Sequence, residues 1–210
     1  DSPEVPIMDG SSRDFINIIN NSGIKTQNVK RKYLKILDKV ELEDNGRLIS
    51  IAPHDSDFEV EFQLNYKNKI IGNQKNTVNF SKEDLEDVYS SRTFCLFEDI
   101  EKIKKIGLAK GGSLDNAIVV DEEKVINENG LRNEKEFVNH KILDLAGDFL
   151  LSGYRIIGKV ECYQGGHQLS NIFLNKLLEL KSCYTEITFN NIGAAKKPKS
   201  NQNIRLAAIA

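Results

Sequence analysis

The chain has 210 residues, of which 40% are hydrophobic and 29% charged, with a formal net charge of -2. That balance suits a soluble globular protein and excludes a strongly basic nucleic-acid surface. No apolar run approaches the roughly 20 residues that span a bilayer, no signal peptide is expected, and Cys95, Cys162 and Cys183 form neither a disulfide framework nor a paired zinc ribbon, so reduced thiols in a cytoplasmic protein are expected.

The opening run Asp1-Ser-Pro-Glu-Val-Pro-Ile-Met8 starts without an initiator Met and reads like the middle of a protein. Val5 to Met8 is expected to be a strand end, with a turn at Asp9-Gly10. A helix capped by Ser11 or Ser12 then carries Phe15, Ile16, Ile18 and Ile19 and stops at Gly23. The polar, basic stretch 25–32 has no periodic pattern and is taken as a linker. From Tyr33 the period becomes two, with Leu34, Ile36 and Leu42 in strands. Asn45-Gly46 supplies a hairpin turn, and Leu48, Ile49 and Ile51 form the return strand. Phe58 to Leu64 alternates almost strictly, which predicts a half-buried antiparallel strand. Thr77 to Phe80 is a short strand, and Ser81 opens a helix carrying Leu85, Val88 and Tyr89.

Glu98 to Ile106 reads as a short helix, Gly107 to Ser113 as a glycine-rich turn, and Ala117 to Val120 and Lys124 to Asn127 as two strands. The principal helix runs from about Glu134 to about Gly153, with apolar Phe137, Val138, Ile142, Leu145 and Phe149 at helical intervals. A strand from Tyr154 to Tyr163 follows, then a helix opened by Gly165-Gly166-His167, then a strand from Thr185 to Phe189. The 194–200 tail is polar and expected to be loose up to Ile204. Elements in this mixed order, joined by hairpins, predict an α+β fold: a largely antiparallel sheet with the two long helices packed on one face.

Candidate chemistry gathers on the principal helix. His140 and Asp144 are one turn apart, so an imidazole nitrogen and a carboxylate oxygen can reach one ion; Asp148 extends the row and could orient a partner. The plainer alternative is a solvated polar stripe. His167 follows two glycines that let the backbone turn sharply and approach a ligand. At a helix start it could act as a general acid or simply cap the turn. His54 lies in a loop and is expected to be solvated. Gly111-Gly112-Ser113 lacks the Lys-Ser/Thr of a phosphate loop and reads better as a turn. Thr93 could present a hydroxyl to an oxyanion or serve as a cap.

The run from Arg92 to Leu178 resembles the bacterial UDP-3-O-acyl-N-acetylglucosamine deacetylases, the zinc enzymes of lipid A synthesis. The matching pieces are Arg92-Thr93-Phe94, the segment Gly107 to Val120, Asn127 to Arg132, Glu136 to Asp148, and Gly165-Gly166-His167; Val5 to Ser11 resembles the end of that family's first domain. The resemblance implies a remnant strand and helix of a similar first domain (1–24), a linker (25–32), a second α+β domain (33–192) with a small βαβ insert (about 94–121), and a tail (193–210).

It also implies roles. His140 and Asp144 match two of three Zn2+ ligands. His167 matches the general acid or electrostatic helper, Asp148 the carboxylate that orients it, and Thr93 the oxyanion donor. Lys141, Phe94 and Gly166 match substrate-binding positions. Leu96, Ile100, Ala109, Ser113, Leu114, Ala117 and Val119 match the hydrophobic passage for the acyl chain, and Tyr66 matches an aromatic beside the uracil. The implied reaction is zinc-assisted hydrolysis of the 2-acetamido group. Two departures stand out. The family's His-Thr-x-Glu-His motif, which carries the third zinc ligand and the glutamate base, is absent. Gln164 replaces the basic residue usual three positions before the active-site histidine. The chain is therefore expected to be inactive without its first domain. The competing readings are a non-catalytic binding module with no metal site, and a metal-independent nucleotide binder using Gly111-Gly112.

Overall fold

A computed structural model describes residues 5–82, 84–107, 109–188 and 203–206, the last four as backbone only. The chain divides into two compact units: residues 1–24, 64–74 and 84–140, and residues 25–63, 75–83 and 141–210.

The second unit is built on strands. β1 (Lys32–Ile36), β2 (Lys39–Asp44), β3 (Arg47–Ala52), β4 (Phe58–Asn65), β5 (Asn73–Asn79), β8 (Arg155–Tyr163), β9 (Tyr184–Thr188) and β10 (Asn203–Leu206) belong to one sheet. The Asn45-Gly46 turn joins β2 to β3, with φ of 49° and 75° at its two central residues, as a tight hairpin of right-handed strands requires. β8 is the hub: β3 runs antiparallel along it, while β1 and β4 run parallel to it. β4 was expected to be antiparallel, and it is so only toward β5, where Phe80 N–H donates to Phe58 O at 3.0 Å. Its alternation is real: Val60, Phe62 and Leu64 are buried. Alternation reports a one-sided burial and not the direction of a neighbour. β10 adds a further parallel strand beside β2, where the stretch expected to be loose ends at Ile204. Phe189 and residues 193–202 lie outside the described residues.

Helix α5 (His167–Glu179) buries Leu169, Phe173, Leu174 and Leu177. The 141–150 part of helix α4 (Glu136–Leu150) buries Ile142, Leu145 and Phe149. Phe149 stands 6.1 Å from Phe173 and 6.1 Å from Phe58 at the start of β4, so both helices are pinned to the sheet by one aromatic cluster. The fold class is α+β, as the element order predicts.

The first unit holds helix α1 (Arg13–Ser22), the four-residue α2 (Glu86–Tyr89), β6 (Phe94–Leu96), α3 (Ile100–Lys105) after a 3-10 turn, β7 (Ile118–Val120), and α4 as far as His140. β6 and β7 pair in parallel with α3 between them, a βαβ unit. Three expectations fail here. Residues 5–8 form no strand and end in a turn, with Gly10 N–H bonded to Ile7 O at 2.9 Å. Lys124 to Asn127 forms only an isolated bridge, Val125 to Val120. The helix beginning at Ser81 is reduced to α2. The apolar residues of α1 are not buried within the described residues: Ile18 is 57% and Ile19 58% exposed.

Candidate active site

In the first unit a buried ion pair sets the site's frame. Glu136, the first residue of α4, is 0% exposed. It accepts bonds from Arg92 Nε at 2.8 Å, Arg92 Nη2 at 3.2 Å, Arg92 N–H at 3.1 Å and Arg132 N–H at 2.6 Å. A carboxylate in the first turn of a helix also meets the positive end of its dipole. This network fixes the backbone of residues 91–93. Ser91 O then accepts from His140 Nδ1 at 3.1 Å. A carbonyl can only accept, so Nδ1 carries the proton and the ring is held in the tautomer whose lone pair is on Nε2, the arrangement common in metal-binding histidines. His140 is buried.

Thr93 is anchored on both sides: its N–H donates to Gly10 O at 2.8 Å, and its carbonyl accepts from Ile118 N–H at 2.8 Å. Gly10 has φ of +83°, and a Cβ there would stand 2.2 Å from Asn116 O, so only glycine lets the 9–11 turn lie this close. The turn is held as well by Arg132, which reaches Asp9 Oδ2 at 2.7 Å and Ser90 O at 2.7 Å. Arg132 and the Ser11 N–H and hydroxyl draw the Asp9 carboxyl below its ordinary range, against burial, the largest single influence, which pushes it up.

Thr93 and Phe94 line a cavity of 1180 Å³. Six of the seven passage candidates line it too: Ile100, Ala109, Ser113, Leu114, Ala117 and Val119. Leu96 does not; it lines a second cavity of 790 Å³ together with Tyr66. Tyr66 meets Phe94 edge-on at 6.0 Å, and Phe94 meets Phe137 at 4.9 Å. Residues 5–7, Ile103 and Ile126 also line the large cavity and were not foreseen. Two of the Gly111-Gly112-Ser113 amides are occupied within the turn: Gly112 N–H bonds Ala109 O at 3.0 Å and Ser113 N–H bonds Asn116 Oδ1 at 2.9 Å, which fits a turn better than a phosphate cradle.

In the second unit four side chains converge. Lys141 Nζ donates to Asp144 Oδ2 at 2.9 Å. His167 Nε2 lies 3.8 Å from the same oxygen, and His167 Nδ1–H donates to Asp148 at 2.9 and 3.1 Å. His167 therefore does not cap its helix; its ring is held by Asp148, and its side chain is 67% exposed. The sharp bend expected at Gly165-Gly166 falls one residue earlier, at Gln164 with φ of 55°. Gly166 is extended with φ of -173°. Gly165 is needed for space: a Cβ there would stand 2.3 Å from Cys162 Sγ. Burial pushes the Cys162 thiol up to about 12, against a lowering by the Gly165 N–H. His54 is not simply solvated, since its Nδ1 accepts from Asp57 N–H at 3.0 Å.

Among the described residues no group of three or more His, Cys, Asp or Glu side chains is placed to hold a metal ion. Helix α4 offers two donors, His140 and Asp144, one turn apart.

The model of the UDP-3-O-acyl N-acetylglycosamine deacetylase family matches residues 1–179. The chain belongs to this family. It is 42% identical over 180 residues to the UDP-3-O-acyl-N-acetylglucosamine deacetylase of Legionella pneumophila (strain Corby), covering 84% of this chain and 59% of that one. It is 39% identical over 192 residues to the enzyme of that name from Pseudoalteromonas translucida (90% and 63% covered), and 40% identical over 194 residues to that from Nautilia profundicola (92% and 65% covered). The chain thus spans less than two thirds of the length of these relatives. Among the described residues no helix is long and apolar enough to cross a membrane.

Proposed function

We propose that this chain supplies the acyl passage, two zinc ligands and the general acid of a UDP-3-O-acyl-N-acetylglucosamine deacetylase acting in cytoplasmic lipid A biosynthesis. The observation that carries the reading is the acid-base pair of the second unit: Asp148 engages His167 Nδ1–H and directs Nε2 toward Asp144. His140, in its Nδ1–H tautomer, and Asp144 suit zinc by donor chemistry, and a catalytic zinc takes three protein ligands. On this reading the third is the one that the family's His-Thr-x-Glu-His motif, absent from this sequence, would supply. When bound, zinc polarises an amide carbonyl and makes water nucleophilic near neutral pH.

The chain's own residues then do the following. The Thr93 hydroxyl donates to the oxyanion that develops on the acetamido carbonyl. His167 gives its Nε2 proton to the departing amine as the C–N bond breaks, so that acetate and a free amine leave. Asp148 keeps the ring oriented through both states. Lys141, beside Asp144, offers a cation to the substrate, and Phe94, Ile100, Ser113 and Ala117 receive the acyl chain. Leu96 and Tyr66, on the neighbouring cavity, and Gly166, whose surroundings are open, are contacts for the rest of the substrate.

A zinc titration tests this, run on the chain and on His140→Ala and Asp144→Ala, each with and without the family's first domain added. Weak binding lost in both variants and tightened by the added domain is expected, with no turnover by the chain alone. Zinc binding indifferent to both substitutions would instead favour a second reading, a binding module with no metal site at this pair.

A further inference from the structure

The large cavity of the first unit carries only one sign of charge. Its walls are apolar, and the charged residues among them are Lys104 and Lys110. Four lysines (Lys102, Lys104, Lys105 and Lys110) fall within nine residues, and from 102 to 114 there is no acidic residue. Of these, Lys102 is paired with Asp99 at 2.8 Å. The acids Glu98, Asp99 and Glu101 precede this run and do not line the cavity, nor does Asp115 after it. Beside the lysines stand large apolar side chains turned outward: Phe97 is 60% exposed, Leu114 47% and Ile106 72%. Phe97 and Leu114 are also cavity-lining, so the exposed apolar surface is continuous with the interior.

Outward apolar side chains interspersed with lysines, as Ile106 and Leu114 are with Lys104, Lys105 and Lys110, are the pattern of a segment that lies in a membrane interface, with apolar groups among the acyl chains and ammonium groups at anionic headgroups. We infer that the β6–β7 segment, through Phe97, Ile106, Leu114, Lys104 and Lys110, docks this protein on an anionic lipid surface with the cavity opening toward the bilayer. An acylated substrate would then pass between bilayer and cavity with its chain shielded from water throughout. This deepens the deacetylase reading, which supplies the acyl chain, but its test does not depend on turnover. Docking of this kind is peripheral, and the β6–β7 segment needs no spanning helix for it.

The test is co-sedimentation of the full chain with phosphatidylglycerol vesicles and with phosphatidylcholine vesicles, at low and at high salt. The expected result is binding to the anionic vesicles that weakens with salt. A lysine near an anionic surface is worth roughly fivefold in partitioning, so Lys104→Gln/Lys110→Gln should weaken binding by about 20- to 30-fold. Ile106→Ser/Leu114→Ser should also weaken it, whereas Lys25→Gln/Lys30→Gln, in the exposed basic stretch of the other unit, should not. Circular dichroism of each variant checks that it is folded. No binding to anionic vesicles would overturn the inference, as would loss only in the Lys25/Lys30 variant. Self-association of the chain abolished by Ile106→Ser/Leu114→Ser would overturn it in favour of a second copy on this face. Vesicle binding without zinc binding would remove the enzymatic reading and leave this one standing.

Discussion

The Arg92–Glu136 pair predicts a large and asymmetric cost. Glu136→Gln keeps the side-chain volume, but its one amide oxygen can replace only one of the two carboxylate oxygens, Oε1 for the Arg92 N–H or Oε2 for the Arg132 N–H, and it removes the charge facing a guanidinium whose side chain is 9% exposed. Breaking one half of such a buried pair costs about 3–5 kcal/mol. Because the amide NH2 also leaves one of the two backbone N–H groups without its acceptor, the upper end applies, about 5 kcal/mol, or a fall of roughly 10–20 °C in melting temperature for a chain of this size. The remedy is counterintuitive: removing the second charge as well, as Arg92→Met/Glu136→Gln, should recover at least about 1 kcal/mol, since no uncompensated charge stays buried. Urea unfolding followed by circular dichroism, on wild type, both single variants and the double, measures the coupling. Additive losses, or a Glu136→Gln midpoint within about 1 kcal/mol of wild type, would refute the view that this pair is what fixes residues 91–93.

Asp57 is held down to about 2 by the hydrogen bond and charge of Lys82, 2.8 Å away, outweighing the burial that raises it. Its folded value lies below the ordinary 3.8, so the stability it contributes is fully present above about pH 4 and is lost as pH falls through about 2; urea midpoints between those limits should rise with pH, and Lys82→Met should flatten the rise. The Cys162 thiol, pushed up to about 12 by burial, should resist a disulfide reagent at neutral pH in the folded chain and react only on unfolding, as mass spectrometry of the labelled peptides would show. Asp148→Ala should release the His167 ring, so long-range proton–nitrogen NMR should change from one tautomer to a mixture; an unchanged single tautomer would mean that Asp148 does not orient it.

What was legible in the sequence was whatever a local pattern encodes. The Asn45-Gly46 turn, the burial alternation of β4, the apolar stripe of α4 and the glycine-bounded start of α5 each depend on residues within a few positions of one another. The parallel neighbours of β8 were not legible, because nothing within Phe58 to Leu64 records which strand will lie beside it or in which direction. The Lys124 to Asn127 strand was overread for the same reason: a short apolar run can end in a single bridge when no partner strand is free to extend it.

The candidate site divides along the same line, which explains what the sequence could assign and what it could not. The spacing of His140, Asp144 and Asp148 on α4 is local, and their one-turn separation needs no knowledge of the rest of the chain. The groups that make those side chains usable are remote. The carbonyl that fixes the His140 tautomer is 49 residues away, the carboxylate that holds Arg92 is 44 away, and the arginine that ties down Asp9 is 123 away. Glu136 and Arg132 carry the framework on which Thr93 and His140 are set. Polar residues beside a candidate catalytic motif therefore call for a partner search across the whole chain, because a buried charge has to be matched and its match can sit anywhere in sequence. Arg92, immediately before Thr93, is buried and so requires an acidic partner, and Glu136 at the head of the helix bearing the proposed zinc ligands is that partner.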